Sequence, residues 1–119
     1  MRELVKQFEH AGLQCHIYKI AGLGIGSLSG GWHCGYVDVP GTHPLHGKHY
    51  DDVNVDVHGG LTYSDNVEEN ESWRFGFDTA HHGDGAAEQS LNYLTAQCIK
   101  LADQLVAARL DAEHEAAAQ

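Results

Sequence analysis

The residues best able to do chemistry in this chain are its ten histidines and seventeen acids, and most of the histidines fall between Trp32 and Asp84. They gather in three clusters: Thr42 to Asp52 with His43, His46 and His49; Asp56-Val57-His58-Gly59-Gly60; and Phe77 to Asp84 with Asp78, His81 and His82. Neutral imidazole beside carboxylate suits zinc, manganese or iron, and a His-His-carboxylate set leaves coordination positions open for water. A metal there would lower the pKa of bound water to about 7 and make a hydrolase. Asp56, His58, Asp78, His81, His82 and Asp84 are the candidate ligands of that reading. The spacing names no site by itself, because the chain has no HExxH and no paired zinc-finger ligands.

A second chemistry uses the same region to bind a small polar ligand without turnover. Trp32, Tyr36, Tyr50 and Trp73 offer flat faces for stacking, including on a nucleobase. Lys48, Arg74, His46 and His49 would meet phosphates or carboxylates. Asp56 and Asp78 would accept hydrogen bonds from sugar hydroxyls or a base. Glycines 22, 24, 26, 30 and 31 would let backbone N–H groups approach an anion, although a strand rather than a helix is expected after them, unlike a dinucleotide fingerprint. Cys34 is a weaker candidate nucleophile: His33 is its sequence neighbour, and successive strand residues face opposite ways.

These groups need a scaffold, and hydrophobic periodicity outlines one. Leu4, Val5, Phe8 and Ala11 recur at helical spacing with Gly12 as a stop, predicting a short helix over 1–12. Cys15, Ile17 and Lys19 alternate with their neighbours as a strand would. From there to 78 the pattern is mainly β. Val53, Val55 and Val57 alternate with Asn54, Asp56 and His58, and Trp73, Phe75 and Phe77 alternate with Arg74, Gly76 and Asp78. If both runs lie in one sheet, Asp56, His58 and Asp78 share a surface. Leu91, Leu94, Cys98, Leu101 and Leu105 form a stripe that predicts a long helix over 86–112, capped by Asp84 or Gly85. The expected architecture is a single α+β domain: an antiparallel sheet of four to five strands, with a short N-terminal and a long C-terminal helix packed on it. The heptad-like stripe also fits homo-oligomerisation through the C-terminal helix.

Composition narrows the partners. The net charge of −10 disfavours direct binding to nucleic-acid backbones. It leaves either plain solubility or an acidic surface that blocks a basic host protein. The opening residues hold no apolar block to enter a bilayer, so no membrane partner is expected and the expected location is cytoplasmic. Cys15, Cys34 and Cys98 are isolated and odd in number, which argues for reduced thiols. His10, His16 and His114 stand outside the clusters and are expected at the surface.

The ordered run Gly35-Tyr36-Val37, Val39-Pro40, His43-Pro44, Gly47-Lys48, Tyr50-Asp51-Asp52, Val55 to Tyr63, Trp73 to Asp78, His81 and Asp84 resembles a group of short proteins encoded by bacteriophages and some bacteria. The resemblance covers residues 32–84. It implies a phage or prophage origin in a bacterial host and transfers no site residue. Small phage proteins often counter host defence, so the expected function is binding a small polar ligand and sequestering a nucleotide-type signal. The alternatives are a divalent-metal hydrolase and an acidic inhibitor of a host defence protein.

Overall fold

The computed structural model of the chain describes residues 2–21, 31–80 and 84–117. Five strands form one antiparallel sheet: β1 (Arg2–His10), β2 (Leu13–Ile20), β3 (Trp32–Val39), β4 (Tyr63–Val67) and β5 (Ser72–Asp78). Their spatial order is β1-β2-β3-β5-β4. Among the described residues one long helix, α1 (Leu91–Ala117), packs on one face. The α+β class and the antiparallel sheet are as expected.

The N-terminal helix is not. Residues 2–10 form an edge strand, joined to β2 through Ala11 and Gly12, whose φ values of 53° and 86° make a tight two-residue hairpin turn. A register shift between Leu4 and Lys6 explains the misleading pattern. It leaves Leu4 opposite Tyr18 and Phe8 opposite Cys15, so Leu4 faces away from the helix while Phe8 packs into the core. The shift breaks the period of two, and the two apolar residues are left four apart, as on a helix. Gly12 serves the hairpin rather than a helix end.

The long helix begins later than expected. Residues 86–89 form a 3-10 turn after Gly85. Ser90 then caps α1, its Oγ accepting from Tyr93 N at 3.1 Å. Leu94, Cys98, Leu101, Ala102 and Leu105 are buried and meet Ile17, Val37, Phe75 and Phe77 of the sheet.

The second departure is the run Val53 to Val57, which pairs with none of the described strands. Five strands span about 19 Å between the outer two, whereas one helix covers about 10 Å. Residues 43–61 fill the remainder as a strap under β5 and β4. Leu45, Val53, Val55, Val57 and Leu61 all pack on the core from it. Its 53–57 stretch is extended, so Val53 and Val57 are buried and Asp56 is exposed, as alternation requires. Its backbone is satisfied by helix side chains instead of a strand. Gln104 accepts from Asp56 N and donates to Asp56 O, both at 2.7 Å, and Gln97 accepts from His58 N at 2.9 Å. His43 pins the start of the strap: Leu45 N donates to its Nδ1 at 3.0 Å, so the ring proton sits on Nε2 and is donated to Leu105 O at 2.8 Å.

Candidate functional site

The strap and the β4–β5 hairpin bring five of the predicted ligand-binding residues together. Trp73, on the helix-side face of β5, donates its indole N–H to Lys48 O at 2.9 Å. His46 lies against the Trp73 ring, centroids 5.8 Å apart, and donates Nε2–H to Glu71 O at 2.9 Å. His49 caps the 3-10 turn Tyr50–Asp52 by accepting from Asp51 N, and its ring lies 4.2 Å from that of Tyr50. Tyr50 N in turn donates to Ser64 Oγ of β4. Beside this group opens a pocket of about 370 Å³ lined by His46, Asn66, Val67, Glu68 and Glu71. Glu71 closes the hairpin with φ at 60°, a left-handed conformation that costs a non-glycine residue about 1–2 kcal/mol. The His46 contact to its carbonyl helps hold it there. The pocket lining is therefore acidic on the hairpin side, where Glu68 and Glu71 stand, and carries His46 on the strap side.

The other predicted ligand residues lie elsewhere. Trp32, Tyr36, Arg74 and Asp78 occupy the opposite face of the sheet, away from α1. Trp32 and Val39, the partner of Trp73, mark opposite ends of β3. That separates the two tryptophans by roughly 23 Å along the strand. They cannot stack on one small ligand.

On that open face the dominant feature is a buried ion network. Arg74 grips Asp38 through Nε at 2.6 Å and a second nitrogen at 2.9 Å, and His16 Nε2 lies 3.1 Å from the same carboxylate. Burial alone would raise the Asp38 pKa, but the hydrogen bonds from Arg74 and His16 outweigh it and hold the carboxyl below its ordinary value. The bond to Asp38 likewise raises Arg74. Tyr36 stacks edge-on between Tyr18 and Tyr63, with Arg74 over its ring. Arg74 is thus committed to Asp38 rather than to a ligand phosphate. His16, expected at the surface, is buried. Its only sequence signal was its place in the alternation of β2 opposite Tyr36.

The proposed metal ligands divide. Asp56 pairs with Lys100 of α1 at 2.8 Å. Asp78, on the open face, accepts from Thr62 Oγ1 and Ala80 N. His58 and Asp84 do meet, Nε2 lying 2.9 and 3.0 Å from the two carboxylate oxygens, and His58 Nδ1 lies 2.6 Å from the hydroxyl of Tyr93. The expected shared surface of Asp56, His58 and Asp78 fails because the 53–57 run belongs to the strap and not to the sheet. His81 and His82, and the candidate anion-binding glycines 22, 24, 26 and 30, lie outside the described residues. Among the described residues no three His, Cys, Asp or Glu side chains converge as a metal site would require. Tyr93 was not anticipated; its spacing four residues before Gln97 was the available clue.

All three cysteines are held towards the protonated thiol. Burial pushes Cys15 up to about 11 and Cys98 up to about 12, and burial raises Cys34 as well. His33 turns away from Cys34 to put Nδ1 2.9 Å from Gln89 Oε1. No described helix is long and apolar enough to cross a membrane. No protein-family model, curated protein or solved structure matches this chain.

Proposed function

We propose that the protein binds a small polar ligand in the pocket between the strap and the β4–β5 hairpin, and that binding without turnover is its role. The observation behind this reading is a cavity of about 370 Å³, a size ordinary for small-molecule sites, lined by His46, Asn66, Val67, Glu68 and Glu71, with Trp73 against His46 and the Lys48–Tyr50 segment joined to Trp73. The lining favours a particular orientation. Glu68, Glu71 and Asn66 call for a flat ring that donates hydrogen bonds, such as an amino-bearing nucleobase, packed near His46 and Trp73. Anionic groups of the same ligand would be repelled from the hairpin and directed towards Lys48 and His49. A nucleoside or nucleotide meets both demands, which is the chemistry a sequestering counter-defence protein would need.

The test is a calorimetric titration with a panel of nucleosides and mono-, di- and cyclic nucleotides, followed by the same titration on His46→Ala and Glu71→Gln. Saturable one-to-one binding, weakened about tenfold or more in each variant, is the expected outcome, corresponding to about 1.4 kcal/mol or more. Absence of binding at millimolar ligand, or binding indifferent to both substitutions, would remove this reading.

A further inference from the structure

Tyr93, His58 and Asp84 form an arrangement that ligand binding at the strap does not use. Each was fixed by a different element: Asp84 just ahead of the 3-10 turn, His58 at the end of the strap, and Tyr93 in the first turn of α1. The proton positions follow from the contacts. Nε2 of His58 faces two carboxylate oxygens, which only accept, so the ring proton sits there. Nδ1 is then a lone pair, and the Tyr93 hydroxyl at 2.6 Å donates into it. The two rings meet edge to face, at 88°. Gln97, one turn along α1 from Tyr93, accepts from His58 N and prevents the strap from sliding. Exposure rises outward along the row, from 8% at the Asp84 side chain to 15% at His58, with Tyr93 half-buried.

A nucleophile bonded to a base, and the base to an orienting carboxylate, is the arrangement that activates hydroxyl nucleophiles. We propose that Tyr93 is an activated nucleophile that accepts an acyl group from a neutral, activated carboxylic ester. In the step, the Tyr93 oxygen attacks the carbonyl carbon while its proton passes to His58 Nδ1, and the imidazolium is stabilised by Asp84. The ester C–O bond then breaks, and the departing alkoxide or phenoxide takes the proton back from His58. The product is an O-acyl tyrosine and a free alcohol or phenol, with no net proton change in the protein. A neutral substrate is favoured because Asp84, Glu88 and the overall charge of −10 repel phosphoryl and carboxylate electrophiles. His58 is the catalytic base, and Asp84 is a positioning residue.

The experiment treats the full chain with p-nitrophenyl acetate and follows nitrophenolate release together with intact and peptide mass. One acetyl group at Tyr93 is expected, formed faster than at the more exposed Tyr63, which is 39% accessible and serves as the internal comparison. Tyr93→Phe abolishes that label, and His58→Gln slows it about 100-fold, the range of a positioned general base. Asp84→Asn slows it with the folded signal retained in circular dichroism. Tyr63 labelling stays unchanged in all three variants. Labelling of Tyr93 no faster than Tyr63, or a rate unaffected by His58→Gln in a folded protein, overturns the proposal and leaves the three residues as a strap anchor alone.

Discussion

The closest backbone approach in the core is at Gly35, and it yields a quantitative prediction for Gly35→Ala. An ideal Cβ at this position would stand 2.4 Å from Phe77 Cζ, 2.5 Å from Phe77 Cε1 and 3.0 Å from Cys98 Sγ. Carbon atoms rest about 3.5–4.0 Å apart, so the ring of Phe77 must retreat by about 1 Å. It has nowhere to go, since Phe77 is 1% exposed and Cys98 is fully buried against α1. Overpacking of this kind costs about 1–3 kcal/mol. Loss of glycine freedom in the unfolded chain offsets about 0.4–1 kcal/mol of it. The net is a destabilisation of about 1–2 kcal/mol. In urea unfolding that lowers the midpoint by on the order of 0.5–1 M at an unchanged slope. Gly41→Ala is the control, because nothing lies within 4 Å of its added methyl; it should change stability by less than about 0.5 kcal/mol. Phe77→Leu, which shortens the obstructing ring, should be less costly in the Gly35→Ala background than in the wild type, with a coupling of at least about 0.5 kcal/mol. A neutral Gly35→Ala, or strict additivity with Phe77→Leu, would refute the packing argument.

The remaining predictions concern the polar contacts. Burial depresses His43, so the unfolded chain takes up a proton there that the folded chain refuses. Its contribution to stability is therefore complete above about pH 6.5 and is lost as pH falls from there through the folded pKa; His43→Gln should flatten that part of a stability–pH curve measured by urea midpoints. Asp38 is depressed as well, so its contribution is present above about pH 4 and disappears as pH falls through its lower folded value. Asp38→Asn at neutral pH leaves the partly buried Arg74 charge without its carboxylate and should cost about 3 kcal/mol, the low end for a broken buried pair, and a loss under about 1 kcal/mol would show that water reaches the pair. Gln104→Leu removes both of its bonds to the Asp56 backbone, and hydrogen exchange should then quicken at Asp56 while the amides of β2 and β3 stay protected.

Much of the scaffold was legible in the sequence because burial leaves a simple period. Trp73, Phe75 and Phe77 alternate on β5, and Leu94, Cys98, Leu101 and Leu105 follow the helix, because each faces one continuous core. Arg74 and Asp78 do point away from that core, as the alternation required. Residues 2–10 hide their strand character because an edge strand has one neighbour and little buried area, so a single register shift can erase its pattern. Leu4 is 45% exposed and carries almost no structural information. The site was harder. His46, Lys48, His49 and Tyr50 are close in sequence and stay together, whereas Trp32, Arg74 and Asp78 are divided from them by the sheet itself. Asp38 and His16 sit at alternating strand positions, but nothing in the sequence pairs them with Arg74, because an ion network across three strands has no period.

The strap shows why a correct pattern can still mislead about position. Alternation at Val53, Val55 and Val57 reports an extended chain with one side buried, and the structure has that conformation. Whether such a chain belongs to a sheet depends on what satisfies its N–H and C=O groups. Here part of the answer lies about forty to fifty residues away, in Gln97 and Gln104, seven apart and so on one face of α1. Tyr93 extends the same row by one further turn and meets His58 where the strap ends. The side chains that hold the strap and the hydroxyl that faces His58 therefore share one helix face. A shift of α1, such as Gly35→Ala would impose through Cys98, should disturb the Tyr93 contact along with the core. Acetylation of Tyr93 in Gly35→Ala should accordingly slow relative to Tyr63, even in the fraction that remains folded. An unchanged ratio would mean that the strap and the helix start hold His58 and Tyr93 independently of the core beneath them.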